Sequence, residues 1–301
     1  MLSVLRVFFV LCALSAGFSS AAAPHAYAIA SDNFDEPADQ LVRIDLATGT
    51  YTIIGRPGND YNDIEGLAMA PDGFLYGADD ATETLLRINP ASGIGSAVNY
   101  RNQNLGLGDG TTPYDYGLSF TCDGRLYLVS DQNMTLYQLD LETGKAYAVG
   151  NLGKHITALA NFGPDLYAIG SEGDNNLYRV DPATAELTLV GPLGLADVFT
   201  DAGLAFAADG TLWGVADYRE LDPLNGAPSK LFTIDLETGA ATVVADTLIG
   251  VESLAIAVAP GCDAVSGTTG PRSVPALSWW ALAFLVVLFA AAGIRLSPRI
   301  K

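Results

Sequence analysis

Short apolar runs broken by turn residues dominate the chain between residues 24 and 261. Two phrases recur along this stretch. The first is Glu65-Gly66-Leu67-Ala68-Met69-Ala70-Pro71-Asp72-Gly73-Phe74-Leu75-Tyr76. It returns around Tyr116-Gly117-Leu118-Ser119-Phe120, Thr157-Ala158-Leu159-Ala160 and Ala202-Gly203-Leu204-Ala205-Phe206. The second is Val42-Arg43-Ile44-Asp45-Leu46-Ala47-Thr48-Gly49, with later copies anchored at Asn89, Asp140, Asp181 and Asp235. Successive anchors are 44, 51, 41 and 54 residues apart. Runs this short, punctuated by Gly, Asp and Pro, are strands, and a period of this size is that of a propeller blade.

Each unit holds four such runs, so each predicts a four-stranded antiparallel sheet. In the second unit the strands are expected at 67–70, 74–78, 84–89 and 95–100. Asp-Gly joins the first two as a tight hairpin, because Gly accepts the positive φ that the turn needs. Asp-x-x-Thr-Gly joins the third strand to the fourth, with the Asp carboxylate accepting backbone N–H bonds. The first unit begins at Ala26-Tyr27-Ala28-Ile29-Ala30, which matches a second strand, so it lacks the innermost one. Glu252-Ser253-Leu254-Ala255-Ile256-Ala257 matches the missing strand. The expectation is an all-β, five-bladed β-propeller closed by pairing of N- and C-terminal strands, which leaves no open sheet edge at the joint.

The two ends follow a different pattern. Residues 1–22 are apolar apart from Arg6 and end in Ser20-Ala21-Ala22, the pattern of a cleaved signal peptide. Residues 276–294 form a second uncharged apolar stretch, long enough for one C-terminal transmembrane helix. Arg295, Arg299 and Lys301 follow it, which places the C-terminus in the cytoplasm and the ring outside the inner membrane. The expected organisation is thus signal peptide 1–22, propeller 23–261, flexible linker 262–273, and helix with basic tail 274–301.

Residues Val274-Pro275-Ala276-Leu277-Ser278-Trp279-Trp280-Ala281 resemble the IPTL-CTERM sorting signal of Gram-negative bacteria, whose pattern is Ile-Pro-Thr-Leu-Ser-Glu-Trp-Gly. Val274, Pro275, Leu277, Ser278 and Trp279 are the expected sorting-motif residues. Val, Ala, Trp and Ala stand where the family has Ile, Thr, Glu and Gly, so a plain membrane anchor stays open beside it. The resemblance implies recognition by a membrane sorting enzyme, with delivery to the cell surface. The blades themselves resemble a broad group of secreted bacterial propellers of uncharacterised type, which implies a fold more than an activity.

Charge narrows the partners. The chain carries 34 acidic against 15 basic residues, a net charge of −19. All the acids lie between the two apolar ends, while four of the bases lie within them, so the ring is more acidic than the whole. Such a surface repels nucleic acid and anionic headgroups. Of three cysteines, Cys12 falls in the leader. Cys122 follows an innermost strand and Cys262 follows the closing one, so both emerge on one face of the ring. A disulfide between them suits an exported chain, though they belong to non-adjacent blades.

The innermost strands begin with acids: Asp63 and Glu65, Asp115, Asp201 and Glu252. Converging at one mouth of the ring, these carboxylates offer the hard oxygen ligands that Ca²⁺ takes; otherwise they are solvated acids on an acidic protein. No motif requires a cofactor. His25 and His155 have no Ser or Cys partner at any motif spacing, so no nucleophilic triad is expected. The loop Gly106-Leu107-Gly108-Asp109-Gly110-Thr111-Thr112-Pro113-Tyr114-Asp115 lacks the Gly-Lys-Ser/Thr of a phosphate loop and is expected over the mouth. The segment 217–229 is expected on the same rim. Tyr76, Tyr127, Tyr167, Tyr178 and Trp213 are expected at equivalent strand positions, as packing residues between blades. Two readings follow: a binding or interaction module at the envelope or surface with a surface or matrix partner, or a metal-dependent hydrolase, lactonase or cyclotransferase at the acidic mouth.

Overall fold

The computed structural model describes residues 24–30, 39–99, 104–108, 114–199, 201–218, 226–256 and 260–262. The expected leader over 1–22, the expected linker beyond Cys262, the expected helix with basic tail over 274–301 and the expected sorting residues Val274, Pro275, Leu277, Ser278 and Trp279 lie outside them. Among the described residues no helix is long and apolar enough to cross a membrane.

Five antiparallel sheets follow one another along the chain. Blade 1 contains β1 (His25–Ala30), β2 (Gln40–Asp45) and β3 (Tyr51–Gly55). Blade 2 contains β4 (Ile64–Met69), β5 (Leu75–Asp79), β6 (Thr84–Ile88) and β7 (Gly95–Ala97). Blade 3 contains β8 (Tyr116–Phe120), β9 (Leu126–Ser130), β10 (Thr135–Leu139) and β11 (Ala146–Asn151). Blade 4 contains β12 (Ile156–Phe162), β13 (Asp165–Gly170), β14 (Asn176–Val180) and β15 (Leu187–Pro192). Blade 5 contains β16 (Ala202–Phe206), β17 (Leu212–Ala216), β18 (Lys230–Ile234) and β19 (Ala241–Asp246). Within each sheet neighbours in sequence are neighbours in space.

The late segment completes blade 1, as the repeat implies. Tyr27 and Ala255 form an antiparallel bridge, and Ala30 and Val251 a second. Between them Ile29 donates its N–H to Ser253 Oγ at 3.0 Å. This inner edge is two bridges with a side-chain bond between them, looser than the continuous ladders of the other inner strands. The structure refines two details of the reading. β4 begins at Ile64, ahead of the expected 67, because a bulge between Ile64 and Leu67 extends the pairing. Tyr178 lies in the third strand of its blade, whereas Tyr76, Tyr127, Tyr167 and Trp213 share the second.

The burial pattern explains the sequence pattern. β5, β8, β9, β16 and β17 are buried at every position because neighbouring blades cover both faces. Their sequences are accordingly continuous apolar runs. The outermost strands β3, β11, β15 and β19 leave half or more of their positions exposed. Apolar side chains gather into five clusters, one in each seam between adjacent blades. In the seam of blades 4 and 5 the Phe206 ring meets Phe162 at 5.1 Å and Tyr167 at 5.5 Å. Between blades 2 and 3, Tyr76 meets Phe120 edge-on at 5.4 Å. Each fully buried Leu or Phe contributes roughly 1.5–3 kcal/mol. A surface pair such as Arg87–Asp72, 2.9 Å apart and half-exposed, adds at most about 1 kcal/mol. The seams therefore hold the ring, and none of them is complete in a single blade.

The Asp-x-x-Thr-Gly turns do a second job. In blade 3, Asp140 Oδ1 accepts the N–H groups of Glu142 at 2.8 Å and Thr143 at 3.1 Å. Gly144 follows with φ +78, and a Cβ there would lie 2.0 Å from the Val98 carbonyl oxygen of the preceding blade. The glycine thus serves both the turn and the close approach of two blades.

Candidate functional site

The acids at the innermost strand starts come together because every blade enters the ring at the same edge. The carbonyls of Asp63, Asp115, His155 and Asp201 accept the N–H groups of Asp80, Asp131, Ser171 and Asp217 at 2.8–3.2 Å. The four pairs are structurally equivalent, one per blade from 2 to 5. They place a second tier of polar residues, from the ends of β5, β9, β13 and β17, beside the first. Two further acids enter differently. Glu65 occupies the bulge between Ile64 and Leu67, where two residues face one, and such bulges re-aim side chains. Glu252 comes from the closing segment.

Glu65, Asp115 and Asp201 each offer a carboxylate oxygen such that all three lie within 4.8 Å of one another. Asp201, Asp217 and Glu252 form a second such group, so Asp201 belongs to both. Glu65, Asp201, Asp217 and Glu252 are buried, while Asp115 is half-buried. Asp63 stays at the margin: it raises the Glu65 pKa by its charge but belongs to neither group. Of the expected residues, four meet and one flanks. Asp131 is not among the expected acids, and Asp217 enters the expectation only as the start of the rim segment 217–229. Their signal is the Asp that recurs one residue past the second strand, at Asp80, Asp131 and Asp217.

Burial sets the electrostatics. It is the main reason Glu65 is held well above the usual carboxylate range, and the charges of Glu252, Asp115, Asp201 and Asp63 add to it. Burial also pushes Asp115 up to about 7, with Asp131 adding to the effect and a hydrogen bond with Asp201 opposing it. Asp131 is pushed up to about 6, again chiefly by burial. Like charges this close and dry disfavour one another's ionisation. A divalent cation reverses that balance by neutralising several carboxylates at once. The donor set is oxygen only, which suits Ca²⁺.

Directly beneath the acids, Leu67, Leu118, Leu159, Leu204 and Leu254, one from each inner strand and the closing segment, line the axis of the ring. All five are at most 3% exposed. Further along, the axis widens only to a cavity of about 30 Å³, the scale of a single water. At its far end, Pro260 accepts the Gly163 N–H at 2.9 Å, and Cys262 is bonded to Cys122 with Cα atoms 5.0 Å apart. One end of the ring is therefore acidic, the middle is sealed by leucine, and the other end is pinned by a disulfide.

The described stems of the neighbouring loops are tied to the blades. Glu83 accepts the Leu107 N–H at 2.9 Å, and Leu105 is buried in the seam of blades 2 and 3. Residues 109–113 lie outside the described set, so the expectation that this loop covers the mouth is tested only at its two stems. Asp217 accepts the Ser229 hydroxyl at 3.4 Å, and Ser229 Oγ accepts the Val251 N–H at 3.1 Å, linking that rim to the closing segment. Tyr76, Tyr127, Tyr167, Tyr178 and Trp213 are all buried in the seams.

Residues 14–152 match the family described as "Repeat of unknown function (DUF6923)". No curated protein matches the sequence. Solved structures similar to it include virginiamycin B lyase from Staphylococcus aureus, at 17% identity and a TM-score of 0.43, covering 73% of this chain and 69% of that one. A structural-genomics protein of unknown function from Bacteroides thetaiotaomicron is 16% identical with a TM-score of 0.48, covering 63% of this chain and 53% of that one. A chain of a nidogen/laminin complex is 12% identical with a TM-score of 0.46, covering 74% and 78%.

Proposed function

We propose that this chain is an exported propeller, anchored at the envelope or sorted to the surface, that acts as a binding module and holds Ca²⁺ at its acidic mouth. The convergence of Glu65, Asp115, Asp201 and Glu252 from four separate stretches of chain carries this reading. Buried carboxylates that repel one another are a cost to the fold, and a bound cation converts that cost into affinity. Ca²⁺ takes 6–8 oxygen ligands in flexible geometry, so a partner carboxylate or hydroxyl can complete the shell. The apolar ends support export, and a disulfide suits an oxidising compartment. The leucine ring argues against passage through the axis, so a partner meets this protein at the mouth.

Thermal unfolding of the full chain with Ca²⁺ and with EDTA tests the reading. A cation that binds only the folded form at 100 times its Kd adds about 2.7 kcal/mol. For a domain of this size that is a rise of about 5–10 °C in Tm. An unchanged Tm at millimolar Ca²⁺ refutes it.

A further inference from the structure

A separate group of polar atoms lies on the same rim, between blades 3 and 4. Asp131, His155 and Glu172 each offer one ligand atom, and the three atoms lie within 4.8 Å of one another. The His155 Nε2 is 3.6 Å from Glu172 Oε2. Asp131 is 1% exposed; its Oδ1 accepts the N–H of Asp115 at 3.3 Å and that of Gln132, while its Oδ2 is buried with no hydrogen-bond partner. The His155 Nδ1 and the hydroxyls of Ser130 and Ser171 are likewise buried without partners. Buried polar atoms are almost always satisfied, and the unpartnered Asp131 Oδ2 and His155 Nδ1, on two residues of one group, ask for an occupant. Lys154, the basic residue nearest in sequence, is paired to Asp174 instead.

We propose that Asp131, His155 and Glu172 form a second metal site, distinct from the carboxylate mouth, that takes a divalent ion of the zinc class. The donor set decides the class. One imidazole nitrogen with two carboxylate oxygens suits Zn²⁺ and its neighbours, whereas Ca²⁺ and Mg²⁺ prefer oxygen alone. Three protein ligands leave a fourth tetrahedral position for water or for a group on a partner. Ligands to zinc sit about 2.0–2.2 Å from the ion, so the three atoms must close in slightly. Glu172 is half-exposed on a turn after β13 and can make that movement. Asp131 and the His155 backbone are fixed by the ladders of blades 3 and 4, so two ligands are preorganised and one swings in.

The chain has two histidines, His25 and His155. His25 lies exposed at the start of β1, so it serves as an internal control. The experiment is a Zn²⁺ titration of the untagged full chain, followed by NMR of the imidazole nitrogens. The expected result is that the His155 ring signals shift and saturate at one equivalent while those of His25 stay in place. Excess Ca²⁺ should leave the His155 signals where they are. Glu172→Gln, at an exposed position, should keep the fold and weaken Zn²⁺ binding at least tenfold; Asp131→Asn should do the same where it folds. Zn²⁺ binding that leaves the His155 ring signals unmoved places the ion elsewhere and overturns the proposal. Equal affinity in Glu172→Gln reduces the site to a lone histidine and also overturns it.

Discussion

Tyr27 and Ala255 exchange both backbone hydrogen bonds, N–H to O=C at 2.7 and 2.8 Å, although they lie near opposite ends of the described chain. This pair is the latch of the ring. Beside it Ser253 Oγ accepts the Ile29 N–H across 224 residues of sequence. Without these contacts the seam of blades 1 and 2 loses Ala255, and the seam of blades 5 and 1 loses Leu254 and Val251.

Breaking the latch should therefore destabilise the whole ring. Ala255→Pro removes a donor and leaves the Tyr27 carbonyl short of a partner, at a cost of about 1–3 kcal/mol. Ser253→Ala should lose a similar amount by stranding the Ile29 N–H. Urea unfolding measures both; midpoints equal to that of the parent would show that closure contributes nothing.

The disulfide should matter more than either. Cys122 and Cys262 are 140 residues apart in sequence, and closing a loop of that length in the unfolded chain is worth about 5 kcal/mol. The Cys122→Ser, Cys262→Ser double variant, or the parent in reductant, should melt well below the oxidised protein in a calorimeter. Equal melting temperatures would mean the bond leaves the unfolded chain unconstrained.

Without divalent cations, stability should fall as pH rises from about 4 toward 7. Asp115 has its carboxyl raised from 3.8 to about 7, and Asp131 from 3.8 to about 6. In that window the folded state holds protons that the unfolded state has released, so raising the pH favours unfolding. The contribution of these groups is complete below the unfolded value and is lost as pH passes the folded values. Exposed acids such as Asp45, Asp140 and Asp235 are shifted downward, so their effect opposes this one only at lower pH. Melting in EDTA across pH 4–8 checks the slope, and a rising Tm would contradict it.

Glu65→Gln separates the repulsion from the binding. Glutamine lifts the cost of keeping an ionisable carboxyl where burial and its acidic neighbours disfavour the charge, so without metal the variant should melt higher at pH 7, by about 2–4 °C for each kcal/mol relieved. The same change should reduce the Ca²⁺-induced rise. A variant that melts lower in EDTA and keeps the full Ca²⁺ response would show that Glu65 serves packing alone.

Gly203→Ala probes the spacing of the inner strands. A Cβ at Gly203 would lie 2.4 Å from the Leu254 nitrogen, which is backbone and cannot turn aside. Overpacking of this kind costs about 1–3 kcal/mol and should fall on the joint between blade 5 and the closing segment. Hydrogen exchange at Ala255 reports it directly; unchanged protection there would place the strain elsewhere.

The blades were legible because a blade is local. Strand, hairpin and Asp-x-x-Thr-Gly turn fit within about 40 residues, and each leaves a periodic mark. The acids Glu65, Asp115, Asp201 and Glu252 could be assigned to one edge because they precede equivalent apolar runs. Asp63 precedes one too, yet the bulge at Ile64 gives the inner place to Glu65 instead. Asp131, Asp217 and Glu172 left a fainter mark. They follow second strands, and their relevance depends on which neighbouring blade they face.

The order of residues thus determined the repeat, the five sheets and the seams, since these follow from short-range alternation and from burial on both faces. Packing of blade 3 on blade 4 brought Asp131 to His155 and Glu172, and only the closed ring decided that Glu252 would meet Asp201 and that Cys262 would reach Cys122. Such meetings join segments far apart in sequence. They depend on bulges, blade spacing and the return of the last segment, none of which leaves a periodic trace along the chain.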